Sequence, residues 1–263
     1  MPTPIAHPAA AIPFTKVGLV FSALVTGSLS PDFGYFMPWS TFYMYTIPGM
    51  FLFNLPVGLV LLLLFQVFIK WPLLSLLPLS LQRRLYKHAQ GFSFGPPKRF
   101  LLILLSVLVG SITHVILDSF THSYGWAVEQ LAFLSIRIGG TPLYSILQNL
   151  GSLVGIGLLV YWLVRWLPGA PQSDELPPRF SGRFQILFFT IATATLAFVE
   201  GRIIYLRLLT GSRFIGGHHL MGSTIFSAFF IIVFFAGIYC LAWMLIFYKT
   251  IRPTRSARVA RYD

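Results

Sequence analysis

Long apolar stretches with very few polar side chains recur along the chain, separated by short polar segments. Five of them are predicted to cross a bilayer as helices: 50–69, 100–117, 143–164, 184–199 and 220–248. A helix needs about 20 apolar residues to cross the hydrocarbon core, where backbone polar groups must be satisfied internally. The stretches lack the period-two alternation of barrel strands. The pattern therefore predicts an all-α, polytopic helical membrane protein with five transmembrane helices.

A sixth stretch, residues 17–36, is shorter. Its apolar part ends near Leu29, and Pro31 and Asp32 follow where a spanning helix would continue. Apolar segments of about 10–14 residues are typical of buried, re-entrant or interfacial helices. We therefore expect one short N-terminal helix that is re-entrant or buried and does not cross the membrane.

The composition agrees with a membrane environment. Hydrophobic residues make up 56% of the 263 positions, charged residues 10%, and the mean hydropathy is +0.77. A soluble domain carries roughly 25% charged residues, so an ordinary soluble globule is excluded. We expect a single helical membrane domain over residues 1–263. Within it, 1–155 carry the distinctive motifs, 156–248 add further transmembrane helices, and 249–263 form a basic cytoplasmic tail.

Lys and Arg are unevenly distributed around the five predicted helices. Fourteen lie in the segments 70–99, 165–183 and 249–261, which share one side if the helices alternate, and four lie on the other side. Positive residues are enriched on the cytoplasmic side, so these segments and the C-terminus are predicted to be cytoplasmic. The net charge of +12 is then a topology signal, which favours membrane lipids over nucleic acid as the partner. The sequence indicates no protein partner.

The most distinctive polar residues lie in the stretch GSITHVILDSFTHSYG, residues 110–125. His114, Asp118 and His122 are spaced by four, so on a helix they form one stripe with neighbours about 6 Å apart along the axis. Adjacent members are close enough to chelate one ion together, and ionisable side chains in a membrane helix usually mark function. The stripe therefore predicts a metal site. The alternative is that the two histidines only form hydrogen bonds between helices.

The two histidines cannot grip one ion from a continuous helix, because such a helix would hold His114 and His122 about 12 Å apart. Two arrangements remain open. Either Asp118 bridges two ions, or the helix ends near Thr121 and the chain turns His122 back. The following letters SYG are suited to such an ending.

Two residues near the N-terminus can complete the site. Asp32 is one of only seven acidic residues in the chain, although Ser-Pro-Asp is also an ordinary turn and helix start. His7 is equally compatible with a solvated residue near a terminus. If the segment 17–36 is re-entrant, both lie on the same membrane face as His114 and His122. If it spans the membrane, His7 lies on the opposite face.

Several motifs together carry a resemblance. AHPAAAIP, GSLSPDFGYF, PGMFLFNLPVGL, GSITHVILDSFTH and PLYSILQNLGS occur in this order over about the first 155 residues. The chain thereby resembles a bacterial family of multi-pass membrane proteins of unknown function. More remotely, it is similar to predicted membrane-bound metal-dependent hydrolases and to zinc-dependent phospholipase C, which share a His-x-x-x-Asp helix element.

The resemblance implies a protein of the bacterial inner membrane that holds a divalent metal ion, with zinc as the favoured ion. It implies as ligands His7, Asp32, His114, Asp118 and His122. It also leads us to expect a histidine near Tyr45 and an acidic residue near Gly34, and the sequence has neither.

These features favour a membrane-embedded metal-dependent hydrolase that acts on a phospholipid or another lipid-like phosphoester. A bound Zn²⁺ lowers the pKa of a coordinated water and polarises a phosphoryl oxygen. Asp118 would be a ligand and Asp32 a ligand or general base, which makes these two the predicted catalytic residues. The alternatives are a transporter or an ion or proton relay that uses the same groups, and a non-catalytic membrane scaffold.

Overall fold

A computed structural model describes residues 4–36, 41–90, 92–209 and 217–251. This part of the chain forms the helices α1 Pro8–Ala11, α2 Phe21–Leu29, α3 Ile47–Gly49, α4 Leu55–Leu64, α5 Lys70–Leu76, α6 Leu79–Gln90, α7 Pro97–Thr121, α8 Trp126–Gln130, α9 Leu143–Trp166, α10 Gly182–Leu209 and α11 Gly217–Ile251. Its strands are β1 Arg137–Ile138 and β2 Thr141–Pro142, which pair antiparallel. The predicted all-α class is confirmed.

Shorter helical turns link these elements. The 3-10 turns are Pro4–Ala6, Ile12–Val17, Ser30–Phe36, Thr41–Tyr45, Ala132–Ser135 and Leu167–Gly169. Met50–Asn54 and Phe65–Ile69 are π-helical and flank α4. Because they continue the helix at both ends of α4, the helical stretch around the first predicted span is longer than α4 alone.

Five stretches of the described chain are long and apolar enough to cross a membrane, as predicted. They are Ile47–Leu76, Pro97–Gln130, Leu143–Gly169, Gly182–Tyr205 and Phe230–Thr250. Of the predicted basic tail, Lys249 lies in the last turn of α11, whereas residues 252–263 lie outside the described residues.

The segment 17–36 forms the short buried helix expected from its length. The helix proper, α2, has 9 residues and is about 14 Å long at 1.5 Å per residue, less than half of a bilayer core of about 30 Å. It begins after Gly18, whose φ of +89° suits glycine, and it gives way to a 3-10 turn at Ser30 and Pro31.

Two compact units make up the chain. The first contains Met1–Val67 and Gln90–Pro171, and the second contains Phe68–Ala89 and Gln172–Asp263. The first unit therefore includes the motif-bearing residues 1–155 except for the segment 68–89. The single membrane domain over residues 1–263 stays a prediction.

In the first unit, α2 packs directly on α7, backbone against backbone. A Cβ on Gly27 would lie 2.1 Å from the carbonyl oxygen of Val107, and a Cβ on Gly110 would lie 2.2 Å from that of Leu24. Only glycine permits this approach. Ala23, Leu62, Ile103 and Val107 form the buried apolar core around it, so α2 is fixed along the inner face of α7.

The second unit has an aromatic core. Phe180, Tyr239 and Trp243 are buried together with Met244, and the indole N–H of Trp243 donates to the carbonyl oxygen of Pro178 at 3.0 Å. Such a partner is what a buried indole requires. Pro178 is thereby anchored on α11.

Candidate metal centre

Helix α7 supplies the centre of the site. His114 and Asp118 lie one turn apart on its inner face and are 0% and 2% exposed. The Nε2 atom of His114 lies 3.1 Å from Oδ2 of Asp118. The spacing of four therefore produces the pair that the sequence predicts, and both side chains are buried.

His122 reaches the same carboxylate because α7 ends at Thr121. His122 follows in an extended conformation, with φ −118° and ψ 143°, and its Nδ1 lies 3.4 Å from Oδ1 of Asp118. Of the two arrangements that the spacing allows, the helix takes the one in which it ends and the chain turns back.

Helix α9 holds the other side of the His122 ring. The amide nitrogen of Gln148 lies 3.1 Å from Nε2 of His122 and can only donate, so Nε2 accepts. The proton of the neutral ring is then on Nδ1, the nitrogen that faces Asp118.

The N-terminal segment contributes His7 and Asp32. His7 Nε2 lies 3.6 Å from Oδ1 of Asp118, and its ring stacks on that of His114 with the centroids 3.8 Å apart. Asp32 Oδ1 lies 3.7 Å from Nε2 of His114. All five residues predicted from the sequence therefore meet in one place, although their roles as metal ligands stay a prediction.

The backbone of α2 determines which ring nitrogen of His114 carries a proton. Its Nδ1 lies 2.7 Å from the carbonyl oxygen of Ser28, which can only accept, so Nδ1 carries a proton. The lone pair of the neutral ring is then on Nε2, facing oxygens of both Asp118 and Asp32. Three acceptors directed at one another require a proton or a cation between them. A backbone carbonyl that orients an imidazole in this way is typical of metal-bound histidines.

Several buried polar atoms of this cluster have no hydrogen-bond partner within the described residues. They are Nδ1 of His7, Oδ2 of Asp32 and Oδ1 of Asp118. Buried polar groups are normally paired, so these atoms are candidates for contact with a ligand. His7, His114 and Asp118 each offer one ligand atom, and these atoms lie within 4.8 Å of one another. The group could therefore hold a metal ion.

Burial shifts the pKa values of His7 and Asp32 in opposite directions. Burial first, then the nearby His114, lowers the pKa of His7 from 6.5 to about 4, against the opposing effect of Asp118. His7 is therefore neutral near pH 7, which is the form that binds metal. Burial raises the pKa of Asp32 from 3.8 to about 6, although His114 acts in the opposite direction. Asp32 can thus exchange a proton close to neutral pH.

Tyrosines surround the cluster, and the sequence analysis did not identify them. The Tyr45 hydroxyl donates to Oδ2 of Asp118 at 2.8 Å, and the hydroxyls of Tyr35 and Tyr124 lie 2.8 Å apart. Burial, followed by the Asp118 carboxylate, raises the pKa of Tyr45 above its usual range, so its hydroxyl stays protonated. The only available signal was the resemblance, which led us to expect a histidine near position 45.

Asn54 positions the turn that carries Tyr45. Its side-chain amide donates to the carbonyl oxygen of Met44 at 2.8 Å and to Oγ of Ser111 at 2.9 Å. Asn54 is fully buried, as is Ser111 on α7. This bridge ties the turn Thr41–Tyr45 to the face of α7 that bears His114 and Asp118.

Comparison with known proteins identifies a family but no activity. No curated protein and no solved structure matches the chain. One family model, described as a domain of unknown function, DUF4184, matches residues 1–249. That match covers nearly the whole chain, including all five residues of the cluster, and the protein therefore belongs to the DUF4184 family.

Proposed function

We propose that the protein is a membrane-embedded, metal-dependent hydrolase that acts on a phospholipid or a lipid-like phosphoester. The observation that carries the proposal is Nε2 of His114, which faces two carboxylates while Nδ1 is held by Ser28. A positive charge belongs at that point, and the buried oxygens of Asp118 and Asp32 that have no partner within the described residues add donor atoms suited to a divalent ion.

The residues of the cluster have different proposed roles. His7, His114 and Asp118 would hold the ion, and a Zn²⁺ ion, when bound, supplies an activated water and polarises a phosphoryl oxygen. Asp32 is more exposed than the other members, at 19% of its side chain, and its pKa of about 6 suits a general base. Tyr45 holds the Asp118 carboxylate in place.

Metal analysis tests the proposal directly. Wild-type protein, purified without chelators and supplied with Zn²⁺ or Mn²⁺, should hold stoichiometric metal and hydrolyse a lipid phosphoester. Asp118→Asn should lose most of the metal and the turnover while still inserting, because insertion depends on the surrounding apolar run. His88→Ala, on the exposed face of α6, is the matched control. Wild-type protein without bound metal would exclude the hydrolase, and bound metal without turnover would favour a scaffold.

A proton or ion relay is the second candidate. The hydroxyl–carboxylate contact between Tyr45 and Asp118 and the hydroxyl pair of Tyr35 and Tyr124 favour it, because such groups pass protons within membrane proteins. A relay requires a transmembrane ion gradient for its activity, whereas hydrolysis in detergent does not. Measuring activity with and without a gradient separates the two.

The proposed location is the inner membrane of a bacterium, with the C-terminus in the cytoplasm and lipids as the main partners. Its support is the excess of Lys and Arg in the segments 70–99, 165–183 and 249–261. On this topology the end of α7 that carries Asp118, with His122 directly after it, lies at the outer face.

A further inference from the structure

The loop between α7 and α9 exposes large apolar side chains. We call residues 126–142 the apolar loop; it contains α8, a 3-10 turn and the hairpin β1–β2. Trp126 is 70% exposed and Ile136 is 59% exposed, and three more apolar side chains are exposed with them: Leu131, Phe133 and Ile138. Contiguous exposed apolar surface marks an interaction site.

The apolar loop is apolar on its other side as well. Ala127, Val128 and Leu134 are buried, and the first turns of α9 pack against them. The loop therefore has a buried apolar core of its own, and the exposed apolar side chains are additional to that core. The strands β1 and β2 are joined by a tight turn at Gly139 and Gly140. Their φ values of +58° and +83° are those of two-residue hairpin turns that need glycine.

The location of the apolar loop between two candidate spans indicates the environment of its exposed side chains. The apolar stretch Pro97–Gln130 includes α8, but α7 alone has 25 residues, about 37 Å at 1.5 Å per residue, which is long enough to cross a bilayer core of about 30 Å. The next span begins at Leu143. The loop therefore joins two spans at a membrane–water boundary. By contrast, every exposed side chain in the linker 168–181 is polar, charged, proline or glycine.

We propose that the apolar loop inserts its exposed face into the boundary between lipid headgroups and acyl chains. Trp126 and Phe133 provide apolar rings at a depth where aromatic residues are enriched, and a short apolar surface with few charges is buried shallowly there. Arg137 lies on the hairpin beside Ile138, and its guanidinium donates to the carbonyl oxygen of Gly140 at 3.3 Å. Its charge complements anionic headgroups, and the exposed carboxylate of Glu129 leaves the loop without net charge.

The apolar loop is attached to the metal centre by a close backbone contact. A Cβ on Gly125 would lie 2.4 Å from the carbonyl oxygen of Ser119 and 2.8 Å from that of Asp118, so the chain that enters Trp126 touches the end of α7. Anchoring the loop therefore holds the site at headgroup depth. If the proposed function is correct, on which this step rests, the substrate is an amphiphile whose polar head enters the site while its chains stay in the bilayer.

Depth measurements with single-cysteine variants test the insertion. Phe133→Cys, Ile138→Cys and Ser123→Cys, each in a Cys240→Ala background, are labelled with an environment-sensitive fluorophore. The labelled proteins are reconstituted into vesicles of phosphatidylcholine and phosphatidylglycerol. Labels at 133 and 138 should shift to the blue and lose most of their intensity with a nitroxide near the headgroup. The label at 123, beside the site, should also be quenched by that nitroxide.

Gln172→Cys is the matched control, because Gln172 is exposed in the polar linker and its label should report water. Labels at 133 and 138 that behave like this control, or that are quenched best by a nitroxide at the end of the acyl chain, would overturn the insertion. An unquenched label at 123 would overturn headgroup depth for the site. None of these measurements depends on metal or turnover, so the failure of one proposal is distinguishable from the failure of the other.

Discussion

Asp118 connects the polar side chains of the cluster in the first unit. Its Oδ2 contacts His114 and the Tyr45 hydroxyl, and its Oδ1 lies 3.6 Å from His7 and 3.4 Å from His122. A buried carboxylate without compensating charge is costly. The surrounding histidines and the tyrosine therefore determine whether Asp118 can be present at this depth at all.

Tyr45→Phe should weaken metal binding without abolishing it. The change removes only the hydroxyl that donates to Asp118, and losing a hydrogen-bond partner of a ligand typically lowers metal affinity by about 10- to 100-fold. Titration of the apo protein with Zn²⁺ measures the effect. Tyr43→Phe is the control, since Tyr43 is exposed, and equal affinities for the two variants would contradict the role of Tyr45.

His122→Ala distinguishes one ion from two. Its Nε2 accepts from Gln148 and its Nδ1 faces Asp118, so we expect weaker binding with an unchanged ratio of one ion per chain. If Asp118 instead bridges two ions, the variant should hold half as much metal as the wild type. Elemental analysis at saturating Zn²⁺ gives the ratio.

At the scale of elements, glycines determine how close the N-terminal segment comes to the long helices. Gly27 and Gly110 bring α2 against the backbone of α7, and Gly155 of α9 contacts Ala6. These contacts deliver His7 and the Ser28 carbonyl to His114. The fine geometry of the cluster therefore depends on residues that have no functional groups.

Gly155→Val should displace His7. A Cβ at this position would lie 2.9 Å from both Cβ and the carbonyl oxygen of Ala6, and such overpacking typically costs about 1–3 kcal/mol. We expect a lower melting temperature and a lower Zn²⁺ affinity. Gly157→Val is the matched control on the same helix, because a Cβ there meets nothing within 4 Å. Identical behaviour of the two variants would show that the N-terminal segment does not depend on this contact.

At the scale of the whole molecule, charge and site geometry together predict the topology. The excess of Lys and Arg in 70–99, 165–183 and 249–261 indicates the cytoplasmic side. The contact between His7 and Asp118 puts the N-terminal segment at the C-terminal end of α7. The basic residues Lys98 and Arg99 lie at its other end. The basic segments and the cluster are thus predicted on opposite faces.

Labelling and fusions measure this topology. Ile5 is exposed, so Ile5→Cys in a Cys240→Ala background should react with an impermeant reagent from outside the cell. A reporter fused near Arg84 should be cytoplasmic, and one fused near Ser123 should be outside. Labelling of position 5 only after permeabilisation, or a fusion near Arg84 on the outside, would reverse the orientation.

The sequence by itself determined the number of spans and the central pair of the cluster. Apolar length is sufficient for the first, because the thickness of the hydrocarbon core sets how many apolar residues a helix needs. The spacing of His114 and Asp118 is sufficient for the second, because residues four apart share one face of any α-helix. Both are local properties of the chain, independent of the neighbouring helices.

Only the tertiary structure decided how the cluster is completed. Ser28 and His114 are 86 positions apart, and they meet because glycines let α2 lie against α7. The accepting carbonyl of Ser28 belongs to the backbone, which every residue has, so no side-chain pattern could indicate it. Tyr45 and Gln148 are likewise common residue types whose roles follow from where α9 and the turn before α3 bring them. Long-range packing, which depends on the fit of whole surfaces, selected these partners.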